Sequence, residues 1–108
     1  MATELEIIPV SEFPDFTESL ILNGVSYNIG FTWNTRFEFW TMSIQDANGV
    51  ELINGVKVVL NYELIASFPS RGLPDGEIWA IDLAGSNKPI GRDDLSNGRI
   101  NIIFKWES

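Results

Sequence analysis

The sequence predicts an all-β fold: a small antiparallel sandwich or partly closed barrel with one short helical segment. Two observations carry that prediction. Asn-Gly occurs four times, at Asn23-Gly24, Asn48-Gly49, Asn54-Gly55 and Asn97-Gly98. This pair accepts the positive φ that tight hairpin turns require. Around the pairs, apolar and polar side chains alternate at period two, which suits half-buried strands and cannot form a helical stripe.

Glu4-Leu5-Glu6-Ile7-Ile8 reads as a first strand, ended by Pro9. Ser11 to Pro14 reads as a loop. Thr17 to Leu22 is the next strand. Its Leu20-Ile21-Leu22 run is apolar on both faces, which predicts a place in the sheet interior. Asn23-Gly24 turns into the cleanest strand. Val25, Tyr27, Ile29, Phe31 and Trp33 share one face, and Ser26, Asn28, Gly30 and Thr32 share the other. After the loop Asn34–Arg36, the strand Phe39–Gln45 points Trp40, Met42 and Ile44 inward. Thr41, Ser43 and Gln45 then face outward. Asp46-Ala47-Asn48-Gly49 is a compact Asx-type turn into Val50–Ile53. Asn54-Gly55 is read as another turn, into Val56–Val59, which completes a meander.

The segment Asn61–Phe68 breaks the β pattern. Asn61 suits a helix N-cap, Glu63 suits the positive end of the dipole, and Leu64, Ile65 and Phe68 share a helical face. One or two helical turns are expected there, stopped by Pro69. Ser70–Gly76 is a Gly/Pro-rich loop. Glu77–Leu83 is a strand, with Trp79, Ile81 and Leu83 on its apolar face. Ala84–Asn97 is irregular, with a short turn at Arg92–Leu95. Ile100, Ile102, Phe104 and Trp106 mark one face of the last strand.

With 108 residues, the chain reads as a single domain spanning residues 1–108. It contains no cysteine and no histidine. That excludes disulfides, zinc–thiolate sites and thiol nucleophiles, together with every Ser-His or Cys-His arrangement. No apolar run approaches the roughly 18 residues of a membrane-spanning helix. Met1–Glu4 lacks the basic start and apolar block of a signal peptide, so synthesis in a cytoplasm is expected. Fifteen acidic residues against seven basic ones give a formal charge of −8. This balance repels a phosphate backbone, so no direct nucleic-acid binding is expected.

Several residue groups invite a chemical reading. Asp82, Asp93 and Asp94 cluster in sequence, and Asp46-x-Asn48-Gly49 copies the start of a calcium loop without its closing acid. Paired carboxylates such as Asp82 and Asp94 are the minimum for a glycosidase, but no glycosidase signature accompanies them. The four tryptophans (Trp33, Trp40, Trp79 and Trp106) invite a carbohydrate-binding reading. Their alternating positions favour core packing instead. No metal, cofactor or catalytic residue is therefore assigned. Arg36, Phe39, Arg71, Leu73, Arg92 and Asp93 lie in or beside loops and are the candidate interface residues, because loops on a rigid sheet scaffold usually carry recognition.

From Trp33 to Asp82 the order of elements resembles a known family. The pattern runs through Phe39-Trp40-Thr41-Met42-Ser43-Ile44, Asp46-Ala47-Asn48-Gly49 and Asn54-Gly55-Val56. It continues through Asn61-Tyr62-Glu63-Leu64-Ile65 and Gly72-Leu73-Pro74-Asp75-Gly76 to Glu77-Ile78-Trp79-Ala80-Ile81-Asp82. Asp94-Leu95, Gly98 and the final alternating strand extend it. This ordered set is similar to the small baseplate plug proteins of contractile-tailed phages, best known from cyanophage baseplates. The resemblance implies a structural virion component without catalysis, filling the hub near the tail tube. It implies protein partners (hub, tail-tube and spike-proximal subunits), several copies in a symmetric assembly, and assembly in the host cytoplasm. The alternative from the residues alone is a small carbohydrate-binding β module.

Overall fold

The computed structural model describes residues 3–65, 72–85 and 88–107. Seven strands form two antiparallel sheets, β1 (Thr3–Ile7), β2 (Asp15–Leu22), β3 (Val25–Asn34), β4 (Phe39–Asp46), β5 (Glu51–Lys57), β6 (Glu77–Asp82) and β7 (Ile100–Glu107). One sheet has the order β2-β3-β4-β5 and the other β1-β7-β6. The all-β expectation holds, in its sandwich form rather than as a closed barrel.

Alternation builds the core. Tyr27, Ile29 and Phe31 from β3 and Trp40, Met42 and Ile44 from β4 are buried, facing Ile78, Ala80, Ile102 and Phe104 of the other sheet. Leu22 pairs with Val25 across a two-residue turn in which Asn23 (φ 48°) and Gly24 (φ 82°) both take positive φ. That is the type I′ geometry which matches strand twist. At the β4–β5 turn, the Asp46 carboxylate accepts the N–H groups of Asn48 and Val50, each at 2.9 Å. The expected Asx-type turn is therefore present.

Four expectations are corrected. Asn54-Gly55 is not a hairpin turn, because β5 runs straight through it. Met42 pairs with Val56 and Ile44 with Ile53, so two residues of β5 oppose Ser43 alone. This is a β-bulge whose glycine carries the positive φ, 73°. The Ser43 hydroxyl fills the gap, 2.7 Å from the Asn54 side-chain oxygen. Second, Thr17–Leu22 is not interior. It lies in the edge strand β2, and Ile21 is 61% exposed.

Third, Asn61–Ile65 is not helical, and Phe68 lies outside the described residues. The segment docks on the edge of β6 through bridges Leu60↔Ala80 and Glu63↔Trp79. Asn61 N–H donates to Ala80 O at 2.9 Å and Leu64 N–H to Ile78 O at 2.8 Å. The Glu63 carboxylate accepts the N–H groups of Ile65 (2.8 Å) and Ile78 (2.7 Å). A helix of one or two turns carries the full nucleation cost. The unpaired edge of β6 offers hydrogen bonds without it, and Leu64 and Ile65 still reach the core.

Fourth, β6 presents the opposite face to the core from the one expected. Ile78, Ala80 and Asp82 point inward, Trp79 and Ile81 are half-buried on the outside, and Leu83 is exposed. Of the other tryptophans, Trp40 is buried, while Trp33 and Trp106 pack against the core edge.

Candidate interaction surface

Strand direction brings two loops to one end of the sandwich. β3 ends and β4 begins there, joined by Thr35–Glu38. Asn34 builds this loop: its side-chain oxygen accepts Phe37 N–H at 3.0 Å and its carbonyl accepts Glu38 N–H at 2.7 Å. β6 ends and β7 begins at the same end, joined by a segment containing Lys88–Arg99. The buried Trp40 ties the two loops together, its indole N–H donating to Gly91 O at 3.2 Å. A hollow between them is lined by Trp33, Thr35, Glu38, Ile90 and Arg92. A neighbouring hollow is lined by Phe37, Phe39, Lys57, Leu60 and Lys88.

The candidate residues Arg36, Phe39, Arg92 and Asp93 all belong to this end. Arg36 lies over the Phe37 ring, 5.2 Å from its centroid, and Lys57 lies over Phe39 at 5.0 Å. Arg92 pairs with Asp93 at 3.1 Å, both exposed. Leu73 belongs to the opposite end. Its neighbour Gly72 accepts the Tyr27 hydroxyl at 2.9 Å, and Leu73 itself packs against the core. Burial, and secondarily the Asp75 charge, pushes the Tyr27 phenol up. Arg71 lies outside the described residues. Sequence reasoning missed Phe37, Lys57 and Lys88. An exposed phenylalanine between Arg36 and Glu38 was the available signal for the first.

The Lys88–Arg99 segment is held by one cation. Arg99 donates to Asp82 at 3.0 Å, to Asp94 at 2.9 Å and to the carbonyl of Pro89 at 2.6 Å. The Asp82 side chain is 1% exposed. Asp82 also accepts Ala84 N–H at 2.9 Å, and Asp94 also accepts Gly91 N–H. Chiefly the Arg99 hydrogen bond, helped by Gly91, holds the Asp94 carboxyl below its ordinary value against the opposing effect of burial. The acidic cluster read from the sequence is thus a loop clamp. Among the described residues, no three acidic side chains converge as a metal site would require.

The arrangement offers shaped contact surface around a rigid frame. A model of the family described as "Cyanophage baseplate Pam3 plug gp18" matches residues 5–107. No curated protein matches the chain. The matched span takes in β2 to β7, the last three residues of β1 and both ends of the sandwich. The family is a structural one of the phage tail baseplate, which implies a virion location and contact with other baseplate components. From Leu5 to Glu107, strand by strand, the chain belongs to the cyanophage baseplate plug family.

Proposed function

We propose that this chain is a non-catalytic plug that fills the central hub of a contractile tail near the tail tube. The family match over residues 5–107 carries the reading. The physical features agree with it. Two sheets share one apolar core, and the Lys88–Arg99 segment is clamped by Arg99 rather than left loose. The end bearing Arg36, Phe39, Arg92 and Asp93 is one contact surface with hub and tail-tube subunits, and Arg71 and Leu73 contribute to another. Several copies act in a symmetric assembly, put together in the host cytoplasm.

The carbohydrate-binding alternative asks for a platform of several exposed tryptophans, whereas Trp40 is buried, Trp33 and Trp106 pack against the core edge, and Trp79 alone stands half-buried on an outer face.

Removal of the gene tests the reading. Tails assembled without the chain are expected to leak or fail to inject, with the empty density at the hub centre. Sealed, infectious tails lacking the chain would refute it.

A further inference from the structure

The two outer faces of the sandwich differ in kind. The outer face of β2-β3-β4-β5 carries Ser19, Asn28, Thr32, Thr41 and Ser43 across its middle, with Ile21 exposed toward one end and Phe39 under Lys57 at the other. The outer face of β1-β7-β6 instead has an apolar middle, with Lys105, Glu77 and Asn101 around it. Its central row, Ile7–Ile103–Trp79, is apolar across all three strands. Leu5 and Ile81 extend it on either side. Leu5 is 63% and Ile7 62% exposed.

β1 shows that this is not simple amphipathic patterning. Ile8 is buried, so Glu4 and Glu6, at the same parity, take the sandwich side while Leu5 and Ile7 face outward. Charges turned toward the sandwich are a device that discourages edge-to-edge pairing. The apolar side chains are therefore presented on a face, beside an edge that resists strand addition. Trp79 has its one polar atom satisfied within the chain, its indole N–H donating to Glu77 at 3.1 Å. It can be covered without stranding a donor.

We propose that this face docks a baseplate subunit of different sequence, one presenting apolar side chains flanked by lysine or arginine. The inference rests on the plug reading above and names a surface for it. Charge selects the partner. The apolar rows run into Glu77, Asp75 and Glu107 at one end, and the cation among them, Lys105, lies 3.9 Å from Glu77. A second copy would add another formal charge of −8 rather than the cations that these acids call for. Area argues the same way. Three strands of about five residues span roughly 250 Å² of sheet, well under the roughly 800 Å² per partner of a stand-alone dimer. The face is an anchor within a larger contact. A contiguous apolar patch with a polar rim is the usual form of such an anchor.

Two measurements on assembled tails test this. The double variant Leu5→Thr with Ile7→Thr keeps strand-favouring residues and removes the apolar surface. Its unfolding temperature should shift by no more than about 3 °C, while its amount per virion falls about tenfold or more. Independently, a photo-cross-linking residue at position 7 of the otherwise unaltered chain should join it to a different baseplate subunit beside a Lys/Arg-bearing segment. The same probe at position 32, on the polar face, should give much less of that product. Wild-type incorporation of a folded double variant overturns the proposal, and so does a position-7 product linking two copies of this chain. Absence of the unaltered chain from tails would instead overturn the plug reading itself.

Discussion

Arg99 has more at stake than any other charged side chain among the described residues. It neutralises Asp82, which is almost wholly enclosed, and Asp94 at once. Replacing it with alanine leaves an enclosed carboxylate without its cation, which destabilises the fold. Urea unfolding of Arg99→Ala should show that loss. Arg99→Lys should recover part of it, because an ammonium lacks the fork that reaches two carboxylates. Asp94 supplies a pH signature. Its folded value lies below the ordinary 3.8. Its contribution is therefore complete above that value and is lost as pH falls through the lower folded one. Acid titration of stability should fall less steeply below about pH 4 in Asp94→Asn than in the parent chain. The sequence offered Asp82, Asp93 and Asp94 as a cluster but gave no sign that Arg99 joins them. Asp82 and Arg99 come from different strands' ends, and nothing in linear spacing says that one guanidinium reaches both carboxylates. For the same reason Arg36 and Phe39 could be picked out as loop residues, while their place at the same end as Arg92 and Asp93 depended on how the two sheets stack.

The four Asn-Gly pairs show what a local signal can and cannot decide. At Asn23-Gly24 both residues take positive φ and make the expected hairpin. At Asn54-Gly55 the same dipeptide makes a bulge, because Ser43 and the continuing ladder with β4 offer more than a reversal would. Two glycines therefore respond differently to alanine. Gly55 has open space where a Cβ would stand but a φ of 73°, so Gly55→Ala costs about 1–2 kcal/mol in backbone strain. Gly76 has ordinary φ, yet a Cβ there would lie 2.5 Å from the Lys105 carbonyl oxygen and 2.8 Å from the Phe104 ring. Gly76→Ala should cost about 3 kcal/mol by forcing β6 and β7 to shift. Thermal denaturation of the two variants would rank them. Strands with one polar face, β3 and β4, were legible residue by residue. β6 was not, since apolar side chains on both of its faces leave the direction of the core undetermined, and in β1 the alternation is clear but Leu5 and Ile7 face away from the sandwich.

For the molecule as a whole, charge and shape act together. A body with a radius of gyration of 13.3 Å carries a formal charge of −8. The plug role proposed above, in a channel that later passes DNA, calls for a surface that does not hold DNA. The purified chain is expected to show no measurable affinity for duplex DNA even at low salt, and fluorescence anisotropy with a labelled duplex would check it. The ladder between β1 and β7 has a further result. Thr3 pairs with Glu107 and Ile7 with Ile103, so the first of the seven strands waits for the seventh. On the ribosome the β2-to-β5 hairpins can close as they emerge, whereas β1 has no mate until Ile100 onward has left the exit tunnel. The same zipper brings residues 3 and 107 side by side, so a circular permutant joined there and opened at Asn23-Gly24 should keep its native sheets. In that permutant β7 and β1 become an ordinary hairpin, and the slow step of closing the sandwich should quicken.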